Sequence, residues 1–79
     1  MMSSLEDNII NMIASINNEG LEFDKTTDLL DVGILDSLGI ANMIMMFEEK
    51  LNVEISPEDI IPENFKSVED IVHMINHYM

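Results

Sequence analysis

The sequence predicts an all-α domain: a small helical bundle of three main helices plus one short helix. Apolar residues recur at helical spacing in three separate stretches. Three tetrapeptides place a serine three residues ahead of a carboxylate, as helix starts favour. Nothing alternates for long enough to make a strand. With 79 residues the chain reads as a single domain, 1–79, close to the size at which one core barely suffices.

Leu5, Ile9, Met12, Ile13 and Ile16 share one helical face, which predicts a first helix over about residues 4–18. Asn17-Asn18-Glu19-Gly20 ends it, and Gly20 can adopt a left-handed cap. A long connection follows, to about residue 36. Connections of that length are usually functional or hold a turn of their own. Thr27-Asp28-Leu29-Leu30 can supply that turn, while Phe23, Leu29, Leu30 and Ile34 can pin the loop to the core. The second helix is expected over about 37–51. Pro57 opens a short third helix near 57–61, and Pro62 stops it. Val68, Ile71, Val72, Ile75 and Tyr78 mark the last helix, about 67–78.

Composition excludes whole classes of chemistry. There is no cysteine, so disulfides, thiolate metal sites and cysteine nucleophiles are ruled out together. Sixteen acids against three lysines give a formal charge of −13. Such a surface disfavours nucleic acid and anionic membrane and attracts partners that carry basic patches. Residues 1–15 hold neither a basic segment nor a long apolar run, so no signal peptide is expected and a cytoplasmic monomer is the default. No stretch is long enough for membrane insertion.

The serine starts are Ser4-Leu5-Glu6-Asp7, Ser56-Pro57-Glu58-Asp59 and Ser67-Val68-Glu69-Asp70. In each, the serine oxygen can accept from an exposed amide while the acid favours the positive helix end. Asp36-Ser37-Leu38-Gly39 differs, because Ile40 stands where the reciprocal acid belongs. Ser37 is thus expected to begin the second helix with a hydroxyl freer for chemistry. At 100° per residue, Ile40, Met43, Ile44, Phe47 and Leu51 form a complete core stripe. Leu38, Ala41 and Met45 lie on another flank, bracketed by Glu48 and Glu49. That flank is either an exposed docking strip or the second side of a central helix, and periodicity leaves both open.

His73 and His77 sit four apart, one turn after Glu69, and could clasp a metal. The glutamate that a zinc protease needs after the first histidine is missing, and histidines near a helix C-terminus are favoured by the dipole alone. No calcium loop, glycine-rich phosphate loop or credible Ser/His/Asp set occurs, so no metal site, no catalytic residues and no enzyme are expected.

Leu30-Asp31-Val32-Gly33-Ile34-Leu35-Asp36-Ser37-Leu38 resembles the prosthetic-group attachment site of acyl carrier proteins. The likeness extends over nearly the whole chain: the amphipathic first helix, the long loop, Phe47-Glu48-Glu49-Lys50-Leu51, Val53-Glu54-Ile55 and the final Ser67-Val68 start. The resemblance implies a free-standing carrier. In it, a phosphopantetheinyl transferase attaches 4′-phosphopantetheine from coenzyme A to Ser37, with Asp36 as the neighbouring contact. The arm's thiol then holds an acyl or aminoacyl group as a thioester. A loading ligase and downstream transferases with basic docking patches would grip Leu38, Ala41, Met45, Glu48 and Glu49. Gly39 replaces an acid expected in carriers of fatty acid synthesis, Asn42 occupies a commonly acidic contact position, and Ile34 and Leu35 lengthen the approach from Gly33. The longer approach and the glycine are similar to D-alanyl carriers of teichoic acid modification and to some stand-alone aminoacyl carriers. The rival of another class is an unmodified helical adaptor that binds a protein through its second helix.

Overall fold

Three apolar stripes meet in one interior. The computed structural model describes residues 4–79, and its α-helices are α1 (Leu5–Ile16), α2 (Ser37–Met46) and α3 (Val68–Asn76). A π-helical turn, Phe47–Leu51, continues α2, and two 3-10 turns, Pro57–Asp59 and Pro62–Asn64, precede α3. Helix α1 packs against both α3 and α2. From α1 come Ile9, Met12 and Ile13; from α2, Met43; from α3, Val68, Ile71, Met74 and Ile75, all buried. The expected stripe members Leu5, Ile16, Ile40, Ile44, Leu51, Val72 and Tyr78 pack around this centre as half-buried neighbours.

Two fully buried aromatics close the interior. The rings of Phe47 and Phe65 stack with centroids 6.5 Å apart, and neither is exposed to solvent. Val53 and Ile55 fill the space after the π turn. Asn52 there takes a left-handed conformation (φ 57°, ψ 39°), which asparagine tolerates. The amides of Asn52 and Val53 both donate to the Phe47 carbonyl, ending the helix.

The long connection lies on the core. The radius of gyration is 11.5 Å, against about 11.6 Å for a folded chain of this length. Leu29, Ile34 and Leu35 are buried, with Phe23 and Leu30 packed beside them. A turn spans residues 29–33, slightly later than the expected 27–30, with Asp28 accepting from the Asp31 amide. Gly33 (φ 82°) completes it in a conformation that a β-carbon would strain. Two backbone bonds sew the loop to the start of α3. Leu29 N–H donates to the Lys66 carbonyl (2.7 Å) and Glu69 N–H to the Lys25 carbonyl (3.1 Å). Upstream, Asp24 accepts from the Thr26 hydroxyl and amide and the Thr27 hydroxyl. These bonds, the Thr26 hydroxyl foremost, favour its charged form and lower its pKa.

Several expected boundaries move. The first helix ends at Ile16, because the Asn17 side chain turns to the Leu21 backbone instead (2.7 and 3.1 Å). The last helix stops at Asn76. The short third helix is two 3-10 turns, and Pro62 opens the second of them instead of ending a helix. Tyr78 lies beyond α3, where its hydroxyl donates to Asp59 and accepts from the Ser56 amide.

The caps divide differently from the sequence pattern. Ser4 accepts from the Asp7 amide, and buried Ser67 accepts from the Asp70 amide while donating to its carboxylate. Ser56 makes no such bond, because the Asp59 amide already donates to the Ser56 carbonyl in the 3-10 turn. At α2 the cap is Asp36, whose carboxylate accepts from Gly39 N–H at 2.7 Å. Ser37 is the first helical residue, not the cap. Removing the side chain of Asp36 or Ser67 by alanine should therefore cost about 1–2 kcal/mol. Ser37→Ala and Ser56→Ala should stay within about 0.5 kcal/mol. Thermal unfolding reads the difference, since 1 kcal/mol moves Tm by about 4–8 °C in so small a domain.

Candidate functional site

The candidate site is the N-terminal end of α2, and the residues around it explain its geometry. Leu35, only 2% exposed, anchors the approach, and Leu35 N–H donates to the Leu29 carbonyl at 3.0 Å. Asp36 follows in extended conformation (φ −135°, ψ −171°) and caps the helix. Ser37 then stands exposed on the first turn, its hydroxyl not needed for capping. The end of a ten-residue helix presents unpaired amides and a positive dipole, which suit a phosphate. No acidic residue stands in that first turn. Beside this helix end the one carboxylate is Asp36, already hydrogen-bonded to the Gly39 amide.

The second flank of α2 faces solvent. Leu38 is 70% exposed and Met45 56%, and Ala41 is exposed between them. This excludes the arrangement in which α2 packs on two sides. Glu48 and Glu49 are exposed on the π turn rather than on an α-helical continuation. All seven expected site residues, Asp36, Ser37, Leu38, Ala41, Met45, Glu48 and Glu49, lie on this one accessible stretch.

Two features escaped the sequence reading. Gly39 is buried, and a β-carbon there would lie 3.3 Å from an Asp36 carboxylate oxygen, 3.3 Å from Leu35 Cδ2 and 3.7 Å from Ile16 Cδ1. The glycine thus leaves room for the Asp36 cap and the Leu35 side chain at the head of α2. Beside it runs a groove of about 410 Å³ lined by Ser15, Ile16, Asn17, Glu19, Leu21, Asp36, Leu38, Gly39 and Asn42, among others. Its walls come from segments far apart in the chain, so no local motif announces it.

His73 and His77 point to no such assembly. The His77 Nδ1 lies 2.8 Å from the His73 carbonyl, which can only accept, so that nitrogen carries the proton. Among the described residues no three His, Cys, Asp or Glu side chains gather to hold a metal, and no helix is long and apolar enough to cross a membrane.

Comparison with known proteins gives the family. The family described as "Phosphopantetheine attachment site" matches residues 7–75. The chain is 37% identical to an acyl carrier protein of Buchnera aphidicola, with 99% of each chain covered. It is 39% identical to an acyl carrier protein of Clostridium perfringens over 81% of this chain and 79% of the relative. A D-alanyl carrier protein of Streptococcus pyogenes is 28% identical, with 87% of each chain covered. Carriers of this family transport cargo between transferases and ligases and are not themselves catalysts. An exposed, uncommitted serine heading a capped helix, in an acidic three-helix frame that the family match spans almost from end to end, makes this chain a member of the acyl carrier protein family, whose cofactor is 4′-phosphopantetheine.

Proposed function

We propose that Ser37 is the attachment point and that the protein carries an acyl or aminoacyl thioester between cytoplasmic enzymes, as a monomer. One observation supports this above the others: Asp36 performs the capping, which leaves the adjacent hydroxyl exposed and unspent. During attachment, the Ser37 oxygen attacks the pantetheine-side phosphorus of coenzyme A, the pyrophosphate bond breaks, adenosine 3′,5′-bisphosphate leaves, and the hydroxyl proton passes to a base of the transferase. Asp36 offers its second carboxylate oxygen to the transferase and its metal. The bound group supplies a terminal thiol, which this cysteine-free chain cannot provide. The α2 amides then hold the phosphodiester in place.

Leu38, Ala41 and Met45 form the apolar centre of the docking surface, with Glu48 and Glu49 at its far end meeting basic residues of the loading ligase and downstream transferases. Gly39 and Asn42 leave the intervening turns uncharged. That pattern favours an aminoacyl cargo, as in D-alanyl carriers, over housekeeping fatty acid synthesis.

Incubation with coenzyme A and a broad-range phosphopantetheinyl transferase should add a single arm, read by intact mass. Ser37→Ala should remain folded and gain nothing. A wild-type chain that gains no mass beside an active control carrier would remove the assignment.

Docking is tested separately at Met45. Because this side chain is exposed, Met45→Glu should change stability by no more than about 0.5 kcal/mol. It should slow loading by the cognate ligase about tenfold, as loss of a central contact of about 1.4 kcal/mol would. A folded variant that loads at the wild-type rate would refute the docking role.

A further inference from the structure

The groove beside Ser37 has a shape and chemistry that attachment alone does not use. Its volume of about 410 Å³ falls within the roughly 300–1,000 Å³ typical of small-molecule sites. Asp36 and Leu38, the two neighbours of Ser37, are part of its wall. The wall mixes apolar groups, Ile16, Leu21 and Leu38 among them, with the amides of Asn17 and Asn42 and the carboxylates of Glu19 and Asp36. It is also built firmly. The Asn17 carboxamide holds both backbone groups of Leu21, and the Asp36 cap fixes the opposite side. Phe47, Phe65, Val68 and Ile71, by contrast, are all fully buried in the core.

Pantetheine is itself a chain of alternating character, with a dimethyl group, a hydroxyl and two amides. We propose that in the arm-bearing protein the pantetheine rests in this groove between the end of α1 and the start of α2, neither swinging free nor entering the helical core. Leu21 and Ile16 receive its dimethyl end, and Asn42 pairs with its amides. Gly39 leaves room beside them for the Asp36 cap and the Leu35 side chain. The proposal rests on attachment at Ser37.

The test compares the apo and holo proteins, with holo formation checked by intact mass. Amide resonances of Asn17, Leu21 and Asn42 should shift together with residues 36–39. An arm docked half the time should react with Ellman's reagent about twofold slower than free pantetheine. Asn42→Phe, a change at an exposed position, should narrow the groove, abolish the shifts at Asn17 and Leu21 and restore the reactivity. Shifts confined to residues 36–38 with unprotected thiol would mean a solvated arm and overturn the proposal. Shifts at Phe47, Phe65 and Ile71 would place the arm in the core and overturn it equally. Failure to gain mass would instead strike at the attachment to Ser37, and the groove assignment would fall with it.

Discussion

The contact between Phe47 and Phe65 is the one on which the remaining architecture hangs. Each ring is wholly removed from water, and they come from opposite sides of an irregular stretch of the chain. Phe47 closes α2 and opens its π turn, while Phe65 ends the second 3-10 turn just ahead of α3. Losing either to alanine would cost about 3–5 kcal/mol. A small domain has only about 5–15 kcal/mol in all, so this pair alone decides whether the fold exists.

From that contact the order propagates to the surface. Lys66 follows Phe65, and its carbonyl takes the Leu29 amide; the Leu29 carbonyl in turn takes the Leu35 amide, next to Asp36. Two backbone hydrogen bonds thus connect the buried aromatics to the exposed head of α2. The single close ion pair on this path, Lys66 with Asp28, is 4.0 Å apart and largely solvated. It adds little, because exposed pairs seldom exceed about 1 kcal/mol. The position of Ser37 is set by backbone geometry and apolar burial, despite a sequence dominated by charge.

Much of this was legible in the residues. The three helices followed from stripes such as Ile9, Met12 and Ile13, because a buried face must repeat with the helical turn. The second apolar flank of α2 was legible too, but periodicity left open whether it faces solvent or a neighbour, and only the fold exposes it. Elsewhere the sequence underdetermined the outcome. Asp36-Ser37 offers two possible caps, and only the extended backbone at Asp36 selects between them. Ser56 carries the same pattern as Ser67, yet a three-residue 3-10 turn satisfies its amide through the main chain. Phe65 lies outside any periodic segment, so no stripe marked it as core. The groove joins residues 15–21 to residues 33–42, and such a meeting is a property of the fold rather than of any local motif.

The glycine at position 39 also constrains how this chain can change over time. Its α-carbon is a crossing point for Ile16 of α1, Leu35 of the loop and the capping carboxylate of Asp36. Any side chain introduced there requires at least one of those neighbours to yield by a few tenths of an ångström. Substitutions at 16, 35, 36 and 39 are therefore epistatic. A larger side chain at position 39 becomes accessible only after the Asp36 carboxylate or the Leu35 side chain has yielded. The charge pattern at the head of α2 is in this way tied to the packing behind it, whereas exposed Asn42 and Met45 are free to change.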